Sequence, residues 1–261
     1  MTATPTPRHL YVHDDLTEIA LRASAQAPDA PQLAATLFAT MRQEPHVVVL
    51  SLAEQIDGVL RSGGYPPFAT AIGIGAAGER VAHELHHRAG WFPRITRIQI
   101  RREEGADGEY TLTGPAPLTQ QLEGLASGGP IAVVDDTIFS GLTLRAVLTA
   151  LPSATRARTR AFCLRAVAES LPAVEALCPV TVGFAAAGRI LEDVSFINAS
   201  GLVRRGAIRR VGAPPLAFFE RAEWMQAWFP RRADEVTRLC GRLHALLDQA
   251  ARASLDVARA V

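Results

Sequence analysis

Asp135 and Asp136 stand side by side at the end of the apolar run 131–134, and Thr137, Ser140, Gly141 and Thr143 follow directly. Two adjacent ionised carboxylates at a buried strand end repel each other and lose hydration, so they require a partner. Vicinal hydroxyls of a sugar provide one, because each carboxylate accepts hydrogen bonds from O–H donors. Residues 137–143 add backbone N–H groups, the hydroxyls of Ser140 and Thr143, and the start of a predicted helix, which together form a cradle for an anion. One continuous segment is therefore suited to a diol and a phosphate.

Two other patterns compete for the chemistry. Gly73-x-Gly75-x-x-Gly78 follows an apolar run and precedes a helical pattern, the order found in a dinucleotide-binding fingerprint. That fingerprint needs an acidic residue at the end of the next strand, where this chain has Arg101-Arg102. Arginines suit a 2′-phosphate, so an NADP-dependent oxidoreductase is one reading, but it leaves Asp135 and Asp136 unexplained. His83-Glu84-Leu85-His86-His87 matches H-E-x-x-H, which on a helix sets His83 and His87 on one face, as a hydrolytic zinc requires. Pro93 occupies the place of a third histidine, and the segment continues from the glycine stretch as a core helix. The histidines are therefore expected to be solvent-facing, part of a positively charged last turn with Arg88.

The composition narrows the options. The chain has 261 residues, 48% of them hydrophobic and 20% charged, enough for one large or two small globular domains. All 27 basic side chains are arginine, which excludes a phosphate-loop lysine, a Schiff-base lysine and a pyridoxal-phosphate lysine. A net charge of +1 calls for neither nucleic acid nor an anionic membrane as partner. Cys163, Cys178 and Cys240 lie far apart and form no disulfide framework or CxxC hook, so buried reduced thiols are expected. Residues 1–15 lack an apolar signal core and no stretch has the uncharged length of a membrane helix, so a cytoplasmic protein is expected.

The elements that must position these residues fall into three segments. Residues 1–67 mix helical patterns (16–25, 31–41, 51–61) with one short apolar strand, 46–50, and end in the breaker 62–67. Residues 68–185 alternate predicted strands at 69–74, 94–101, 130–135, 159–165 and 180–184 with helices near 78–89, 117–126, 142–151 and 169–177. This is the pattern of an α/β fold with an open parallel five-stranded sheet flanked by helices. Residues 103–113, rich in Glu, Gly and Asp, are expected to form a mobile hairpin or loop. Residues 186–261 join an irregular Gly- and Pro-punctuated stretch to a closing helix from about Ala233.

At Asp135-Asp136-x-x-x-Ser140-Gly141-x-Thr143 the chain resembles the type I phosphoribosyltransferases, with Ser140 in place of the usual threonine. The resemblance covers the middle of the chain and implies a core at 68–185, with a hood built from 1–67 and 186–261. It implies that Asp135 and Asp136 hold the ribose diol of 5-phosphoribosyl 1-diphosphate (PRPP), and that Thr137, Ser140, Gly141, Leu142 and Thr143 hold its 5′-phosphate. Gly73, Gly75, Ala76, Ala77 and Gly78 match the family's pyrophosphate loop, although Ala76 sits where a basic residue is common. Arg101 and Arg102 match the basic pair that opens the catalytic loop of the orotate enzymes, whose further loop lysine has no counterpart here. Mg²⁺ is implied, bound mainly through PRPP rather than by protein ligands, and so is a homodimer, for which the aromatic residues at 218–229 suit core or interface packing. The acceptor is a small molecule, either a pyrimidine-like base or a specialised biosynthetic compound. Phe139 stands where the 6-oxopurine enzymes carry an acid, and Phe196 and Asn198 are its other candidate contacts. A PRPP-binding regulator without transferase activity is the alternative within the same resemblance.

Overall fold

The computed structural model describes residues 6–105, 110–125 and 128–259. In chain order the elements are β1 (His9–Asp14), α1 (Leu16–Ala23), α2 (Ala30–Met41), β2 (Val47–Ser51), α3 (Leu52–Arg61), β3 (Thr70–Ile74), α4 (Gly75–Ala89) and β4 (Ile95–Ile98). There follow β5 (Arg101–Glu104), β6 (Tyr110–Thr113), α5 (Leu118–Gln121), β7 (Ile131–Ile138), α6 (Leu142–Ala150), α7 (Ser153–Arg156), β8 (Thr159–Val167), α8 (Leu171–Glu175) and β9 (Val180–Ala186). The chain closes with β10 (Val194–Asn198), α9 (Ala199–Val203), α10 (Ala222–Trp228) and α11 (Ala233–Arg259). It divides into two compact units, one of residues 53–190 and one of residues 1–52 with 191–261.

The unit of residues 53–190 is built on a five-stranded sheet in the order β4-β3-β7-β8-β9, with every neighbouring pair parallel. Its strands are apolar runs because helices cover both faces. Every residue of β3 is buried, as are all residues of β8 but Arg160. α4 lies directly on β7: a Cβ at Gly78 would come 2.3 Å from the Val134 carbonyl oxygen, so only glycine permits this approach. α3 docks on β9 in the same way through Gly58, whose Cβ would lie 2.2 Å from the Gly183 carbonyl oxygen. At the opposite end from the strand C-termini, Tyr65, Phe68, Trp91, Phe92 and Phe162 pack ring against ring, with Phe162 5.3–5.7 Å from the other four. This apolar plug fixes the end of the sheet away from the acidic pair.

The other unit brings the two ends of the chain together in a three-stranded parallel sheet, β10-β1-β2. Leu10, Val12, Leu37, Phe229 and Leu243 are fully buried in its core. Trp228 is buried there too, and Phe218, Phe219 and Trp224 pack against it, so the C-terminal aromatics serve this core. β1 and β10 are strands that the sequence pattern left unassigned.

The middle of the chain departs from expectation in three places. The strand expected over 94–101 ends at Ile98, and Arg101 and Arg102 begin a separate antiparallel hairpin, β5–β6. The helix expected over 117–126 is one turn, Leu118–Gln121, because Gly124 adopts the left-handed conformation (φ 74°) and stops it. The strand expected to end at Asp135 continues to Ile138, so the acidic pair lies within β7. All three cysteines are buried and unbridged, and burial pushes the Cys178 thiol up to about 11. Among the described residues no helix is long and apolar enough to cross a membrane.

Candidate functional site

β7 is the central strand of the five, and its C-terminal half carries the acidic pair. Asp135 is buried at 9% exposure, and one of its side-chain oxygens, Oδ1, accepts the backbone N–H of Asp136 at 2.8 Å. Burial, and then the charge of Asp136 beside it, pushes the Asp135 carboxyl well above the usual carboxylate range. The Asp136 backbone N–H and the Arg102 guanidinium pull the other way without reversing the shift. Asp136 has a partner that the sequence analysis missed: Arg165 on β8, 1% exposed, donates from Nη2 to Asp136 Oδ2 at 3.1 Å. Arg165 Nη1 donates to Oε1 of the buried Gln55 on α3, also at 3.1 Å. A charge in the middle of the apolar run Ala161–Val167 was the available signal, because a buried arginine needs a carboxylate or equivalent acceptors.

The turn after β7 fits an anion. Gly141 caps α6 with φ 72°, and a Cβ there would press to 3.0 Å on Val174 Cγ2. Ser170 Oγ donates to the Phe139 carbonyl oxygen at 2.5 Å, which pins the turn to the segment before α8. Ser140 is exposed, its Oγ accepting the Leu142 backbone N–H at 3.4 Å, and Thr143 is half-buried. The first turn of a helix leaves its N–H groups without intrahelical acceptors, so residues 142–144 direct donors and the positive end of the helix dipole toward the turn.

β3 is parallel to β7 and adjacent to it, with Gly73 opposite Val134, so its C-terminus lies beside the acidic pair. It runs straight into α4: Gly75, Ala76, Ala77 and Gly78 form the first turn of that helix, and no separate loop intervenes. A Cβ at Gly78 would lie 3.2 Å from the Asp135 Cα, and Ala76 and Ala77 are exposed on the same turn. Two helix N-termini and two carboxyls thus share one edge of the sheet.

Arg101 and Arg102 lie exposed on β5, and the charge of Arg102 reaches Asp135. The hairpin is anchored by Gln121, a further residue missed from sequence. Its Oε1 accepts the Gln99 backbone N–H at 2.8 Å, and its Nε2 donates to the Gln99 and Ala116 carbonyls at 3.1 and 2.8 Å. Residues 106–109, part of the expected loop, are outside the described residues. Phe139 is half-buried in the turn, whereas Phe196 and Asn198 belong to β10 of the other unit, where Phe196 packs on Tyr11 at 5.2 Å.

His83 and His87 are exposed on α4, and His86 is half-buried. Among the described residues no group of three or more His, Cys, Asp or Glu side chains converges to hold a metal ion.

No protein-family model matches the sequence, and no curated protein matches it. Similar solved structures include a purine phosphoribosyltransferase from Pyrococcus horikoshii, 18% identical with a TM-score of 0.38 over 57% of this chain and 91% of that one. A xanthine-guanine-hypoxanthine phosphoribosyltransferase from Helicobacter pylori is 14% identical with a TM-score of 0.33 over 72% and 91%. A hypothetical protein from Neisseria gonorrhoeae with bound ppGpp is 15% identical with a TM-score of 0.37 over 54% and 78%. What the site does follows from its own residues.

Proposed function

We propose that this protein is a phosphoribosyltransferase, which transfers the 5-phosphoribosyl group of PRPP to a small-molecule acceptor and releases pyrophosphate. The observation that carries this reading is the acidic pair on the central strand, continuous with a left-handed glycine turn and a helix N-terminus. Asp135 and Asp136 bind the ribose hydroxyls, and residues 137–143 bind the 5′-phosphate. The first turn of α4, residues 75–78, faces the diphosphate with backbone N–H groups.

The acceptor's lone pair forms a bond to the anomeric carbon as the bond from that carbon to the diphosphate oxygen breaks, and the electron pair leaves with pyrophosphate. The carbon passes through an oxocarbenium-like state, so the rate depends mainly on stabilising negative charge on the departing group. Arg101 and Arg102 supply fixed positive charge there, on a hairpin held by Gln121. Mg²⁺ would be held mainly by the diphosphate of PRPP rather than by protein ligands and would neutralise charge on the departing group. The same reading takes a homodimer and a cytoplasmic setting from the family that the chain resembles.

One observation favours a second reading, a PRPP-binding regulator. Ala76 leaves the first turn of α4 without a basic side chain, and the chain has no lysine to close over the diphosphate. Pyrophosphate release separates the two readings. With PRPP, Mg²⁺ and a panel of pyrimidine-like and other heterocyclic acceptors, the transferase releases pyrophosphate in an acceptor-dependent way. Arg101→Ala and Arg102→Ala lower that rate while keeping PRPP binding. Tight PRPP binding with no release across the panel would support the regulator.

A further inference from the structure

Arg165 lies on the strand next to the acidic pair, in a position that a packed apolar sheet would ordinarily give to a hydrophobic residue. Its guanidinium is 1% exposed and spans two acceptors, Asp136 Oδ2 and Gln55 Oε1, each at 3.1 Å. Burying a permanent cation is costly unless its geometry is fixed by good partners. The fold spends two glycines on that geometry. Gly58 lets the backbone of α3 touch β9, and a Cβ at Gly183 would come 2.2 Å from the carbonyl oxygen of Gln55 itself. Gly183 neighbours Phe184, which is opposite Arg165 in the β8–β9 register, so the same contact that seats α3 brings the Gln55 amide over the guanidinium.

We propose that Gln55 and Arg165 are positioning residues for the acidic pair: Gln55 orients the guanidinium, and the guanidinium holds the Asp136 carboxylate as an ionised acceptor aimed at a ligand's vicinal hydroxyls. The inference rests on the sugar-phosphate reading above and adds a determinant of ribose recognition on a helix remote in sequence from the motif. Charge-assisted hydrogen bonds of this kind are strongly directional, so loss of either donor or orienter removes that restraint on the Asp136 carboxylate. Neither residue contacts the ligand, and each acts through Asp136.

The test is calorimetric titration of the full chain with ribose 5-phosphate and with 2-deoxyribose 5-phosphate, for the wild type, Gln55→Ala, Arg165→Lys and Arg165→Met, with circular dichroism to check folding. The wild type prefers ribose 5-phosphate. Gln55→Ala and Arg165→Lys lower its affinity for ribose 5-phosphate about tenfold, the equivalent of one good hydrogen bond to a charged group. Their affinity for the deoxy sugar changes by less than about threefold, so the preference collapses. Arg165→Met extends the series if it folds, and Gln55→Ala decides the matter if it does not. Equal weakening toward both sugars, or no weakening, overturns the positioning role and leaves the sugar-phosphate reading intact. A wild type that binds both sugars equally or neither overturns that reading, and this inference falls with it.

Discussion

Gly58 lies in the interior of α3, where helix propensity alone predicts that Ala would stabilise the protein by about 1 kcal/mol. The structure reverses the sign. The Cβ of Gly58→Ala would lie 2.2 Å from the Gly183 carbonyl oxygen, against an ordinary C···O contact of about 3.3 Å. The obstacle is backbone, so α3 must retreat by roughly 1 Å. Overpacking of this kind costs about 1–3 kcal/mol. The retreat also stretches the 3.1 Å hydrogen bond from Arg165 to Gln55, whose loss costs a further ~1.5–3 kcal/mol. After the propensity gain, Gly58→Ala should be destabilised by about 1.5–5 kcal/mol, which lowers the urea midpoint by roughly 0.5–2.5 M at a slope of about 2–3 kcal/mol/M. The control is Gly241→Ala in α11, where the nearest atom to an added Cβ is Phe219 Cε2 at 3.7 Å, an ordinary contact. That variant should gain up to about 1 kcal/mol. A rise in midpoint for both variants would refute the close docking of α3 on β9.

Two further outcomes follow from the acidic pair. Folding raises the pKa of Asp135, so between the ordinary carboxyl value and the raised one the native state holds a proton that the unfolded chain releases. Stability therefore falls as pH rises through that window, and Asp135→Asn flattens the fall; urea midpoints at pH 5 and pH 8 measure this, and an unchanged slope in the variant contradicts it. Arg165→Met alone should destabilise by about 3–5 kcal/mol, because it removes the buried cation paired with Asp136, whereas Arg165→Met/Asp136→Leu recovers most of that loss; additive losses in the double variant would show that the pair is not coupled.

The elements that carry the candidate site were more legible in the sequence than the long-range contacts that support them. A run of branched apolar residues, a carboxylate pair, small hydroxyl residues and a glycine occupy consecutive positions, so local rules place β7, the Gly141 turn and α6 without long-range information. Arg165 and Gln55 escaped because their role depends on α3 crossing β9, a contact between residues 55–58 and 183 that no local pattern encodes. β1 escaped for a related reason. Leu10 and Val12 alternate as a strand should, but β1 pairs with β10, which lies some 185 residues further along the chain, and neither strand is marked by turn residues. The glycines at 73, 75 and 78 stand at a strand-to-helix junction rather than in a separate loop, and Gly78 also serves the contact of α4 with β7.

The most direct test of the central claim is calorimetric titration of the protein with PRPP, with and without Mg²⁺, beside the Asp135→Asn/Asp136→Asn variant. Magnesium-dependent binding that is lost in the variant is the predicted result. Absence of PRPP binding in the wild type, together with NADP binding that the double variant retains, would contradict it and move the function to the glycines after β3.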